Sequence, residues 1–366
     1  MKKIVFYLIV IITLLTAVSG NVFCQAVMTM TTQKKEVTIG LEGSGEVTID
    51  WGDGTKDIYK LIKNNTFYNH TYFDSSAYTI TIVGEIITDL SCSYNELTHL
   101  DISQNTALKV LFCPNNQLTS LDVTKNVKLE KLYCNNNSLD TLDISKNEVL
   151  YHLTCESNQL TNLDISKNIK LKGLYCYTNQ LTNLDVRKNI ALEYLDCNSN
   201  QLASLDVSKN ISLKYLNCNF NQLTNLVVSK NIALESLDCA GNQLIGLNVS
   251  ANTLLKYLNC DSNYLTDLDV SKNIKLRMLS CESNQLTDLD LSKNTTLSFF
   301  KCRYNNLSET ALNEMLESLF NRIDKDKKKK YNRGIYMNGI QMKGNPGTDT
   351  CDKTIAEKKG WKIINW

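Results

Sequence analysis

The chain has 366 residues, with 39 Lys plus Arg against 38 Asp plus Glu, and 43% of it is hydrophobic. A charge balance this close to zero provides no basic field to draw in nucleic acid, which excludes that class of partner. Only two prolines occur and no disordered linker is evident, so the length is available for more than one structured unit.

Lys2 and Lys3 precede an uncharged apolar run from Ile4 to Val18. That run is short for a membrane span and right for a secretory signal, so residues 1–26 are read as a signal peptide cleaved after Gly20 or Ala26. An uncleaved anchor is the alternative. Cys24 invites a lipoprotein reading, but Phe23 stands where lipid-attachment signals want a small residue. Export places the mature chain outside the cell, secreted or at its surface, with no membrane span after cleavage.

Residues 27–88 form a distinct segment with strand-like alternation at Glu46–Asp50 and again at Tyr78–Ile82. Between them stand Trp51, Gly52, Asp53, Gly54 and Thr55, followed by His70, Thr71 and Tyr72. This WGDGT and HTY pairing resembles the PKD-type immunoglobulin-like sandwich of bacterial surface proteins. The resemblance covers about 60 residues, short for that fold, and implies a small or truncated PKD-like β-sandwich that shields the first repeat of the region beyond it. Asp50, Asp53 and Asp57 miss the alternating spacing of a calcium loop, whereas an Asp-Gly turn joining two strands accounts for them without an ion.

Residues 89–307 repeat with a period of 21, marked by eleven cysteines from Cys92, Cys113 and Cys134 to Cys281 and Cys302. The unit reads LxxLxCxxNQLTxLDVSKNxx, as in Leu171, Leu174, Cys176, Asn179, Leu181, Leu184, Asp185, Val186 and Asn189. A period this strict means a solenoid held together by stacked units. Leucine and cysteine two apart both point inward from a short strand, and the residue between them points out. The asparagine three places after each cysteine is expected to satisfy backbone groups of the turn leaving the strand. The pattern resembles the leucine-rich repeat family, with cysteine at the third apolar position of LxxLxLxxNxL, and is similar to the nested 21-residue class of bacterial surface and secreted proteins. It implies a repeat solenoid, a leucine-rich repeat coil with short parallel strands in about eleven units. Departures such as Val227, Asn248, Arg187, Ala251 and Phe300 leave the apolar framework intact.

Thirteen cysteines in an exported chain ordinarily suggest disulfides. Cysteines equivalent by repeat, however, lie about 4.8 Å apart with parallel side chains, while a disulfide needs β-carbons about 3.8 Å apart and turned together. The ladder is therefore read as free thiols acting as small core hydrophobes. After Leu307 the period fails, and residues 308–366 are read as an α/β C-terminal cap. Its parts are a helix over Glu309–Phe320 with Leu312, Met315, Leu316 and Leu319 inward, a repeat-like strand around Ile340 and Met342, and a short helix before Trp361. The Lys325–Lys330 run is read as a solvated loop.

No catalytic constellation emerges: His70, His99 and His152 have neither a reproducible nucleophile nor metal-ligand spacing nearby, so the chain is read as non-enzymatic, with no cofactor and no metal. What remains is a recognition surface. The LDVSKN half is monotonous, with an aspartate column (Asp122, Asp143, Asp164) and a lysine column (Lys125, Lys146, Lys167) that suit a self-complementary charge ladder. The outward positions around the cysteine strand are diverse, as a ligand-reading surface requires. The candidate ligand-binding residues are Phe112, Tyr133, Tyr175, Tyr177, Tyr194, Asp196, Tyr215, Asp238, Tyr257, Asp261 and Glu282. The alternative is that the aromatic rings merely cover the sheet. Two functions fit: an adhesion or protein-interaction module using the strand face, or a glycan-binding surface protein in which rings stack on sugars beside carboxylates.

Overall fold

A computed structural model describes residues 25–323 and 339–364. All but the last two residues of the 1–26 signal reading, Cys24 included, and the Lys325–Lys330 run lie outside the described residues.

The 21-residue period becomes a parallel β-solenoid. Each rung contributes a three-residue strand, from β7 (Val110–Phe112) to β16 (Phe299–Lys301), the last before the period fails. Neighbouring strands pair in parallel at a register of one repeat, as in Tyr194↔Tyr215, Leu195↔Leu216 and Asp196↔Asn217. The central residue of each strand, leucine except for Phe300 in β16, is buried, and so is the cysteine one residue beyond the strand. The chain then turns through a left-handed residue, among them Asn115, Ser157, Ser199 and Phe220. That turn exposes backbone groups inside the coil, and the asparagine next in the chain pairs them. Asn200 donates Nδ2 to the carbonyls of Cys197 and Cys176, each at 3.1 Å, and its Oδ1 accepts the Leu181 N–H at 3.0 Å. The same side chain thus closes its own turn and staples two rungs.

A second asparagine ladder runs through the KN position, from Asn105 to Asn294. Asn189 donates to the carbonyls of Ile165 at 3.0 Å and Asn168 at 2.9 Å, while its Oδ1 is buried without a hydrogen-bond partner. Twelve cysteines among the described residues are unpaired and buried. Burial pushes the thiols up, to about 12 for Cys92 and Cys302 at the ends of the ladder and higher inside it. Several of these thiols face the carbonyl of the next rung, with Cys281 Sγ 3.3 Å from the Lys301 oxygen.

The N-terminal strands grow out of the same sheet. β1 (Ala26–Thr32) pairs antiparallel with β5 (Tyr78–Ser91) and with β6 (His99–Asp101). β2 (Glu36–Asp50) is long and bent: its first half pairs with β4 (Thr66–Thr71), its second half with β3 (Lys56–Leu61), and both halves with β5. The bend falls where register shifts follow Glu42 and Ser44, and where a Cβ on Gly43 would lie 2.0 Å from the Ile86 carbonyl oxygen. Only glycine permits that backbone approach. β5 runs through residue 88 without a break, and its last residues, Asp89, Leu90 and Ser91, pair in parallel with Val110, Leu111 and Phe112.

The loop from residue 51 to 55 joins β2 to β3 as a closed turn. Asp53 accepts the Thr55 hydroxyl at 2.6 Å, the Thr55 N–H at 3.0 Å and a hydrogen bond with His70 Nε2 at 2.8 Å. Asp50 accepts the Gly52 N–H and pairs with Lys56, and Asp57 accepts the Trp51 indole N–H. Each carboxylate of the apparent calcium pattern is therefore engaged within the turn. The Trp51 ring stacks on His70 at 4.7 Å, and the Tyr72 hydroxyl donates to the Trp51 carbonyl.

Beyond Leu307, α1 (Glu309–Ser318) starts at Ser308, whose side chain accepts the Ala311 N–H, and buries Leu312, Met315 and Leu316. β17 (Gly339–Gln341) pairs in parallel with β16, and β18 (Lys362–Ile363) pairs with β17. A second short helix, α2, spans Thr354–Lys358, and Trp361 meets Phe300 edge-on at 5.8 Å.

Candidate ligand-binding face

Parallel pairing at a register of one repeat turns sequence columns into spatial ones. Because side chains alternate along a strand, the first and third residues of each strand share one face, joined by the residue after the cysteine. The first column holds Tyr194, Tyr215 and Tyr257; the second holds Phe112, Tyr133, Tyr175, Asp196 and Asp238; the third holds Tyr177, Asp261 and Glu282. All eleven candidate residues therefore occupy a single strand face.

Within it the aromatics cluster toward the N-terminal rungs. Phe112 and Tyr133 lie 5.2 Å apart, Tyr133 and His152 4.8 Å, and His152 and Tyr175 5.5 Å, a continuous run of four rings. Phe112 is 37% exposed and Tyr194 42%, so these rings are wet on one side. Tyr215 and Tyr257 are half-buried, and burial pushes both phenols up to about 12.

The carboxylates sit lower. Asp196 is only 8% exposed and accepts from Asn198 Nδ2 at 2.6 Å and Asn217 Nδ2 at 3.2 Å. Asp238 accepts the Ala240 N–H and Asn259 Nδ2, both at 3.2 Å. Asp261 accepts the Ser280 hydroxyl at 2.7 Å and the Glu282 N–H at 2.6 Å, and Glu282 pairs with Arg303 at 2.9 Å. Burial raises the pKa of Asp196, Asp238 and Asp261 in spite of these hydrogen bonds, whose donors are neutral; of the three only Asp261 also feels a nearby cation, Lys301, and burial outweighs it.

Two further residues of this face stand out in the structure and are absent from the sequence-derived set. His152 completes the aromatic run, and the 21-residue register, which puts it in the column of Tyr194, was the signal for it. Glu156 is 6% exposed, its pKa is raised by burial, and its Oε2 has no hydrogen-bond partner. Neither residue has metal-ligand company: among the described residues no group of three or more His, Cys, Asp or Glu side chains is placed to hold a metal ion.

The monotonous half of the unit behaves differently from the charge ladder expected of it. Its aspartates turn back on their own backbone, as Asp164 does by accepting the Ser166 N–H and Asp206 the Ser208 N–H, both at 2.9 Å. A carboxylate two residues before an N–H closes a local turn more readily than it reaches a flexible lysine. The inter-rung charge ladder stands instead just before the strands, where Glu193 meets Lys214 at 2.6 Å and Glu235 meets Lys256 at 2.5 Å.

No helix among the described residues is long and apolar enough to cross a membrane. No family model matches the chain, and no curated protein matches it. Solved structures do. The functional domain of InlJ from Listeria monocytogenes, which includes a cysteine ladder, matches with 33% identity over 74% of this chain and a TM-score of 0.66. The chain spans 57% of the length of that structure. An internalin, inlF, of Listeria monocytogenes matches with 22% identity, a TM-score of 0.59 and coverage of 76% of this chain and 86% of that one. A leucine-rich repeat protein of Leptospira interrogans matches with 21% identity, a TM-score of 0.56 and coverage of 75% and 83%. The chain is a parallel β-solenoid whose neighbours among solved structures include bacterial leucine-rich repeat proteins.

Proposed function

We propose that this chain is an exported, non-enzymatic binding protein that grips a macromolecular partner, most directly a protein, along its strand face. One observation carries the reading: the outward positions of that face vary from rung to rung in size, polarity and charge, over a buried framework of leucine, cysteine and asparagine that hardly varies. A diverse surface of rigid tyrosines and carboxylates on an invariant scaffold has the composition of a recognition patch, with the aromatics as anchors. The similarity to the InlJ functional domain supports the reading. The segment before the repeats is read as a PKD-like module, residues 308–366 as a cap, and residues 1–26 as the export signal that brings the face to the cell surface or beyond.

A glycan partner is the second reading, favoured by the exposed rings of Phe112 and Tyr194. Screening the purified chain against extracellular-matrix proteins and on a glycan array separates the two. With the partner in hand, Tyr175→Ala combined with Tyr177→Ala should weaken binding by about 2 kcal/mol or more. Lys167→Ala and Lys188→Ala should leave it nearly unchanged. Binding lost at the lysines and kept without the tyrosines would move the site to the other side of the coil.

A further inference from the structure

The chain as a whole is almost neutral, yet charge on the strand face is segregated. Across the rungs of Cys155 to Cys281 the three face columns carry five carboxylates, Glu156, Asp196, Asp238, Asp261 and Glu282, and neither lysine nor arginine. Lys131 stands just before this tract, and Lys301 and Arg303 just after it. On the rim, Glu193 with Lys214 and Glu235 with Lys256 neutralise one another, and Tyr151, Lys172 and Arg277 complete that column. Within the tract only Glu282 meets a cation at salt-bridge distance, Arg303.

Glu156 adds an independent observation. It is more than nine-tenths buried at the outward position after Cys155, between Asn135 and Tyr177 of the adjacent rungs, and its Oε2 lacks any donor. A carboxylate oxygen left this way costs stability, and the hydrogen bonds that the Glu156 carboxyl makes with the Tyr177 side chain and with backbone offset only part of it, since burial still raises its pKa. A cation brought by a partner would supply the missing donor. The neighbouring rings of Tyr175 and Tyr177 offer faces to a planar guanidinium.

We infer that the partner presents a basic, arginine-bearing polypeptide segment that lies along the solenoid axis, with guanidinium groups entering between the tyrosines to meet Glu156, Asp196 and Asp238. Asp196 and Asp238 stand two rungs apart in one column, about 10 Å by the usual strand spacing. Neutral side-chain amides already orient both carboxylates, so the tract is preorganised for charge it does not itself contain. This inference rests on the strand-face reading proposed above.

The test uses the mature chain and three fluorescent peptides of equal length. In one, three arginines are separated by Gly-Ser pairs; the others have glutamate or glutamine in place of arginine. The arginine peptide is expected to bind at least tenfold more tightly than the other two, and to weaken more than tenfold when NaCl rises from about 0.05 M to about 0.5 M. Glu156→Gln alone, and Asp196→Asn with Asp238→Asn, should each cost at least tenfold, with circular dichroism confirming the fold. Asp164→Asn with Asp206→Asn, on the monotonous half, should cost nothing. No preference for arginine overturns the inference and leaves the strand-face reading to stand on the tyrosine variants. Arginine binding that is lost through Asp164 and Asp206 instead overturns both.

Discussion

Thr38 and Asn95 exchange a reciprocal pair of hydrogen bonds: the Thr38 N–H donates to Asn95 Oδ1 at 3.0 Å, and Asn95 Nδ2 donates to the Thr38 carbonyl at 2.7 Å. Asn95 is the first asparagine of the turn ladder and has no preceding rung to staple. β2 supplies what the missing rung cannot. At the far end Asn345 plays the matching part, donating to the carbonyls of Cys302 and Met342 and accepting the Leu307 N–H. The ladder therefore ends on partners at both terminations rather than on water.

Asn95→Ala should accordingly cost on the order of 2 kcal/mol, since it removes both hydrogen bonds to the backbone of Thr38, each of them part-buried. The loss should be felt on both sides of the junction, because β5 belongs to both parts. Hydrogen exchange would show it: protection should fall together in β1 and in β7. A loss confined to one side would mean that the two parts unfold independently.

The thiols give a second prediction. All twelve cysteines of the described residues are buried and unpaired, and burial holds them far from the thiolate form that reacts. The native protein should resist a thiol-specific dye over hours and release at least twelve reactive groups in denaturant. Prompt labelling of several cysteines in native buffer would show that the coil opens or that the column faces outward.

Much of this was legible in the chain because the period converts directly into geometry. Leucine and cysteine two residues apart had to share a face, and thiols aligned on parallel strands could not bridge, which needs no knowledge of the rest of the fold. The helix at Leu312, Met315 and Leu316 followed from its spacing in the same way. Less legible were features set by competition between equally available partners. The sequence shows Asp164, Ser166 and Lys167 side by side, but only the structure shows that the carboxylate takes the nearby N–H. The role of Asn189 was hidden for a related reason: its KN column looks like a surface motif, and its burial depends on how tightly the loop folds back. Glu156 looked like one more variable polar position until its burial and its empty Oε2 were known.

Asp53 should confer a pH dependence on the N-terminal strands. The Thr55 hydroxyl first, and then its N–H and His70, hold the Asp53 carboxyl at about 2, against 3.8 for an ordinary aspartate. A carboxyl whose folded pKa lies below its unfolded one contributes stability in full above the unfolded value, and that contribution is lost as pH falls through about 2. Asp53→Asn should cost on the order of 1 kcal/mol at neutral pH, after discounting for solvent screening. It should also flatten the acid limb of the unfolding curve below about pH 4. An acid limb unchanged in the variant would mean that Asp53 is not the group being titrated.

Asp238 carries the opposite sign, which gives the prediction that ties stability to function. Burial raises its carboxyl above the ordinary range, and the hydrogen bonds from Ala240, Asn259 and Asn219 only partly offset that. With the folded pKa above the unfolded one, the native state takes up a proton more readily, so stability is greatest below the unfolded value and falls as pH rises through the folded one. Asp238→Asn removes the buried charge, keeps an oxygen for the Ala240 N–H, and gives up the hydrogen bonds from Asn259, at 3.2 Å, and from Asn219. The variant should be at least as stable as the parent at pH 7, and the difference should close as pH is lowered to about 4, measured by urea midpoints at the two values. Strain held at a recognition face in this way is a familiar exchange of stability for binding. If Asp238→Asn proved clearly less stable at pH 7, the carboxylate would already be satisfied within the chain, and the strand face would have no standing need of a cation from outside.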